Sequence, residues 1–241
     1  MTGKASSSQT LDQSAATEIA RCLQLVADTD GLAARIERLS KEFIGRPYAI
    51  NPLGGGAGLP EHLSVSLTSF DCVTYMETVL ALALSRKVAE FADYLRRIRY
   101  HKGEVSWASR NHYMVDWWQN NAAGFILNLT TGNASVEKHR RLTAVRELPA
   151  EDVRFRVFPK HNLSHVRKLI KTANFVCFAS TKKNLDVFHA GILIRQTDAI
   201  LLRHATRSKG AVVEQPLSDF LQAHRMSGII LLRPRQPSST F

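Results

Sequence analysis

The chain has 241 residues, 44% of them hydrophobic, and a formal net charge of +11. That is enough apolar material for a sizeable core, yet no apolar run reaches the roughly 20 residues that span a bilayer. Its three cysteines, Cys22, Cys72 and Cys177, are scattered and form no C-x-x-C pair, which argues against a zinc–thiolate site and a disulfide framework.

Residues 1–14 are rich in Ser, Thr and Gln and read as a disordered segment. They carry no apolar stretch of the kind a secretory signal needs. The expected compartment is the cytoplasm, the outside by a signal-independent route, or the periplasm if a signal has been removed. Two helices are expected over 17–27 and 31–44, the second with Leu32, Ile36, Leu39 and Phe43 at helical spacing, Asp30 as its cap and Gly45 as its stop. A long loop over 46–69 contains Gly54-Gly55-Gly56-Ala57-Gly58. It is not a phosphate loop, because no Gly-Lys-Ser/Thr follows and no strand precedes it.

The spacing then predicts helices over 71–84, 88–100, 108–120 and 162–172. The β-rich runs 174–179, 188–195 and 199–204 come next, followed by a short helix over 217–223 and a last strand over 228–233. Helices first and consecutive strands later point to an α+β fold with an antiparallel sheet. Residues 15–234 read as one domain that includes the N-terminal helices, and 235–241 as a tail.

Cys72 lies where Ser69-Phe70-Asp71 gives way to an apolar helix. A thiol in a first helical turn faces the positive end of the macrodipole and unpaired N–H groups. That setting favours thiolate and makes the sulfur a nucleophile. Cys22 and Cys177 read instead as small buried hydrophobes. Far downstream His189 opens an apolar, strand-like run. A helix-start cysteine followed by a strand-start histidine is the order of nucleophile and base in papain-like hydrolases. If 188–195 and 199–204 pair as an antiparallel hairpin, His204 lies close enough to bond the far nitrogen of His189 and orient it. Asp186 is the alternative orienting group, ranked lower because an offset of three along a strand puts the two side chains on opposite faces.

Tyr48 either lines the site through its hydroxyl or packs at the loop start. Residues 100–113 are dense in donors and aromatics, as sugar or peptide recognition requires, whereas Trp117 and Trp118 read as core. Between Lys138 and Lys171 ten Lys/Arg residues stand against three acids. Such a stretch draws nucleic acid, an anionic membrane surface or anionic wall polymer, or simply keeps one face solvated. No zinc-finger, RNP-like or helix-turn-helix pattern is visible, so nucleic acid is not expected as a partner.

Five segments occur in a telling order: Phe43-Ile44-Gly45-Arg46-Pro47-Tyr48, then Phe70-Asp71-Cys72-Val73-Thr74-Tyr75-Met76-Glu77. Ser109-Arg110-Asn111-His112-Tyr113 follows with Asp116 and Trp117, and then Phe188-His189-Ala190-Gly191-Ile192 and Leu202-Arg203-His204-Ala205. From about residue 43 to 234 the chain resembles the N-acetylmuramoyl-L-alanine amidase-like branch of the bacterial NlpC-type, papain-like cysteine hydrolases. The resemblance implies a papain-like fold with the cysteine helix packed on an antiparallel sheet. It implies cleavage of the amide between the lactyl group of N-acetylmuramic acid and L-alanine, in peptidoglycan or soluble muropeptides; the protein is expected to be a monomer needing neither metal nor cofactor. Cys72 would be the nucleophile, His189 the base and His204 the orienting residue. Tyr48, Asp71, Ser109, Arg110 and His112 would contact substrate. Phe188 and Ala190 stand where that branch more often has a small polar residue and valine, which alters the pocket. A D-Glu–diaminopimelate peptidase, an acyltransferase and an inert basic binding module are the competing readings.

Overall fold

A computed structural model describes residues 12–237. Most of the N-terminal segment expected to be disordered (1–11) and the end of the tail (238–241) lie outside the described residues.

Apolar residues at helical spacing build the first layer. Helix α1 (Gln13–Leu25) buries Ile19, Cys22 and Leu23, and α2 (Leu32–Glu42) buries Leu32, Ile36 and Leu39. Asp30 does not cap α2. The cap position is Gly31 at φ 79°, with no side-chain bond, because the chain enters the helix through a left-handed turn. Helix α3 (Cys72–Leu84) is covered on every side from Thr74 onward. Helices α4 (Val88–Arg99) and α5 (Met114–Asn121) complete the layer. The helix expected over 108–120 begins only at 114. Ser106 instead closes a 3-10 turn over 107–109 by accepting the Ser109 N–H. The start of α5 is capped from afar by Asp186, which accepts the Val115 N–H at 2.7 Å.

The helix expected over 162–172 is broken into α6 (Leu163–Val166) between 3-10 turns at 160–162 and 167–169. Arginines take its last carbonyls: Arg195 bonds Arg167 O and Ile170 O, and Arg233 bonds Leu169 O. Helix α7 (Leu217–Ala223) matches its expected span.

The strands are β1 (Ile126–Asn128), β2 (Val136–Leu142), β3 (Glu151–Val157), β4 (Asn174–Ala179), β5 (Val187–Arg195), β6 (Ile200–Thr206), β7 (Ala211–Pro216) and β8 (Gly228–Pro234). Six form an antiparallel sheet in the order β1-β8-β4-β5-β6-β7, and β2 and β3 form a separate hairpin. The class is α+β with an antiparallel sheet. One face of the sheet carries Cys177, Ala190 and Ile192 against the helical layer, through Tyr75, Met76 and Val79 of α3. The other face carries a second apolar cluster, with Phe178, Leu193 and Leu202 under Phe220 of α7. Among the described residues no helix is long and apolar enough to cross a membrane.

Candidate active site

Asp71 fixes where α3 begins. Its Oδ1 accepts the N–H of Val73 at 3.1 Å and of Thr74 at 2.7 Å, and Thr74 Oγ1 accepts the Asp71 N–H at 3.0 Å. This reciprocal capping box makes Cys72 the first helical residue. Cys72 is half-buried as a residue, and the backbone N–H groups of Ala190, of Cys72 itself and of Val73 act on its sulfur. These draw its pKa down, as helix position predicts. Burial, assisted by the Asp71 charge, pushes harder and lifts the thiol to about 12. The resting group is therefore the thiol, not the thiolate expected from its helix position.

His189 is placed by a bulge. The β4/β5 ladder pairs Asn174 with Leu193 through Phe178 with His189, then slips so that Ala179 faces Val187. Phe188 is the extra residue. A bulge re-aims side chains, and here the rings of Phe188 and His189 both lie beside Phe178, at centroid distances of 6.3 and 6.2 Å. Two residues on, Gly191 lets β6 come close. A Cβ there would sit 2.8 Å from Arg203 O and 3.0 Å from His204 Cβ, which a real side chain does not tolerate.

The two histidines meet as the hairpin argument expected: His189 Nε2 lies 2.5 Å from His204 Nδ1. The Gln215 side-chain amide lies 3.2 Å from the other nitrogen of His204. Phe220 covers both imidazoles, its centroid 5.3 Å from each. Burial, with His204 and His224 nearby, lowers His189 to about 3. Burial and His224 lower His204 to about 4. At neutral pH the site holds a neutral thiol and two neutral imidazoles. Among the described residues no hydrogen bond joins the Cys72 sulfur to His189 itself. The N–H of Ala190, the next residue after the histidine, is among the backbone groups that draw the thiol's pKa down.

Among the described residues no hydrogen bond joins Asp186 to either imidazole. Its carboxylate is occupied by the N–H groups of Val115 and Val187, each at 2.7 Å. Tyr48 bridges to Phe70, and burial, with the charges of Cys72 and Asp71, raises the pKa of its hydroxyl. The Asp71 carboxylate is committed to the helix cap. Ser109, Arg110 and His112 form a separate cluster. Arg110 pairs with Glu61 at 3.0 Å, bonds Gly54 O at 2.9 Å and lies over the Trp107 ring. His112 Nε2 lies 2.8 Å from Trp107 O, and the Ser109 hydroxyl turns back to Glu104 O. This cluster pins the glycine-rich loop, and no hydrogen bond among the described residues joins it to Cys72 or His189. Gln215, Phe220 and His224 escaped the sequence reading. The strand that presents Gln215 is short and ends in proline, and only the fold reveals its pairing.

A family model described as AmiA-like, N-acetylmuramoyl-L-alanine amidase-like, matches residues 38–229. No curated protein matches the chain in sequence. Among solved structures, a Legionella pneumophila protein of the DUF1460 family superposes with a TM-score of 0.82 at 21% identity, covering 94% of this chain and 96% of that one. That likeness is one of fold. An N-acetylmuramoyl-L-alanine amidase from Bacteroides uniformis superposes with a TM-score of 0.75 at 25% identity, covering 85% of this chain and 99% of the other. With the family match spanning most of its length, the chain belongs to the AmiA-like, N-acetylmuramoyl-L-alanine amidase-like family.

Proposed function

We propose that the protein is a cysteine-dependent amidase that hydrolyses the bond between N-acetylmuramic acid and L-alanine in peptidoglycan fragments. Family membership supports a peptidoglycan amidase-like function at the coarse level. The observation that carries the finer reading is the His189/His204 pair held at 2.5 Å, one residue from the N–H that faces the Cys72 sulfur.

The chemistry follows from the neutral resting state. Nδ1 of His189 is the ring nitrogen not facing His204, and it takes the thiol proton as the sulfur attacks the lactyl carbonyl. Hydrogen bonds in a catalytic pair often tighten only when substrate is bound. The N–H groups of Cys72 and Ala190 receive the developing oxyanion, and losing one such donor costs about 3 kcal/mol in the transition state. The amide C–N bond breaks, His189 returns the proton to the departing alanine nitrogen, and a muramyl thioester remains. Water, deprotonated by His189, attacks that thioester. The muramic acid and the Cys72 thiol are released. Tyr48, bridged to the residue two before Cys72, borders the path of the substrate.

Mass spectrometry of defined muropeptides treated with the parent and with Cys72→Ser tests the reading. A new L-alanine amino terminus that appears with the parent alone supports it. A new diaminopimelate amine would make the protein an endopeptidase instead, and equal cleavage by both proteins would remove Cys72 as nucleophile.

A further inference from the structure

Gln215 stands at the end of the histidine pair and has no role yet. The β6/β7 register sets it opposite Leu202, with His204 opposite Val213, so Gln215 and His204 share a face of the sheet. Pro216 follows at once, closing β7 and opening α7, the helix whose Phe220 covers both imidazoles. The amide nitrogen faces His204 Nε2 at 3.2 Å. An amide offers a donor on one side and an acceptor on the other, and a neutral imidazole must match it.

Two proton arrangements satisfy this chain. With the amide nitrogen donating, His204 Nε2 is bare, and His204 gives its Nδ1 proton to His189 Nε2. His189 then holds its own proton on Nδ1 and cannot accept one from the thiol. With the amide turned by half a rotation, Oε1 accepts from His204 Nε2–H. His204 Nδ1 then accepts from His189 Nε2–H, and Nδ1 of His189 is left with its lone pair. Only the second arrangement makes His189 a base toward Cys72, so the working enzyme holds the amide half a rotation from the orientation in which its nitrogen faces His204.

We propose that Gln215 is a positioning residue whose amide orientation decides which nitrogen of His189 carries the proton, and so whether the base is engaged. The proposal rests on reading Cys72 and His189 as nucleophile and base. A side chain that can only accept locks the engaged form, and one that can do neither leaves both forms open.

The test compares Gln215→Glu and Gln215→Leu with the parent. The ring-nitrogen NMR shifts of nitrogen-15-labelled histidine report the tautomer directly. Gln215→Glu is expected to hold a bare Nδ1 on His189 and to keep turnover near the parent's. Gln215→Leu is expected to show mixed tautomers and to lose about tenfold in kcat with KM unchanged. Identical tautomers in the parent and Gln215→Leu, or equal impairment in both variants, would overturn the proposal. A Cys72→Ala control keeps the two readings apart. If it still cleaves muropeptide, the nucleophile assignment fails, while the tautomer shifts still judge Gln215.

Discussion

Desolvation decides the protonation state of Cys72 and of the two histidines. Cys72 is held up near 12 and His189 down near 3, so neither ionises in the neutral range. A thiolate–imidazolium enzyme would lose activity as its histidine titrates. Here kcat/KM is expected to stay flat between about pH 5 and pH 9. A pH–rate profile with an acid limb near the ordinary histidine pKa would contradict that. Stability moves the other way. Both histidines have folded-state pKa values below 6.5, so under acid the unfolded chain binds more protons. The native state should lose stability as pH falls from about 6.5 toward the folded values. Urea titrations across that window should show a flatter loss for the double variant His189→Gln/His204→Gln. An unchanged slope would mean the pair is not buried as described.

At the scale of elements, Asp71 does two things that substitution separates. As an N-cap it accepts from Val73 and Thr74, and as a charge it raises the thiol. Asp71→Asn keeps an acceptor and drops the charge, so Cys72 should alkylate faster with iodoacetamide at fixed pH with little loss of stability. Asp71→Ala should cost about 1 kcal/mol in urea unfolding. If both variants are equally destabilised, the side chain is not acting as a cap. The same element shows what the sequence made legible. A polar loop giving way to a long apolar run announced α3 and put Cys72 in its first turn, and the run 174–179 matches β4 end to end. The position of His204 beside His189 followed from the order of two strands. What stayed hidden depends on distant partners. The start of α5 needs Asp186, and the 3-10 turn that follows α6 gives its carbonyls to Arg195 and Arg233. The outer strand β2 is mostly charged, with no periodicity to see. The bulge at Phe188 leaves no local trace, because a bulge is a mismatch between two strands.

At the scale of the molecule, the N-terminal helices form part of the core that holds the site. The family match begins at residue 38, so all of α1 lies before it. Yet Ile19, Cys22 and Val26 are fully buried in the same apolar cluster as α3. Arg35 of α2 is 2% exposed and donates to the carbonyls of Val26, Ala83 and Ser85, joining the end of α1 to the end of α3. Further along α2, Ser40 O accepts the Tyr75 hydroxyl of α3 at 2.8 Å. Arg203 of β6 donates to Glu37 O at 2.7 Å and to Ser40 Oγ at 3.0 Å. Helix α2 thus clamps the element that starts with Cys72 to the strand that carries His204. Fully burying one large apolar side chain contributes about 1.5–3 kcal/mol, and a whole domain is stable by only about 5–15 kcal/mol. Deleting residues 1–30 should therefore abolish the cooperative thermal transition, not trim an accessory. Arg203→Met, which spares the core, should leave a cooperative melt but lower kcat, because β6 loses its tie to α2 next to His204. A fragment beginning at residue 31 that melts within a few degrees of the parent would show that α1 is dispensable, and the clamp would then rest on α2 alone.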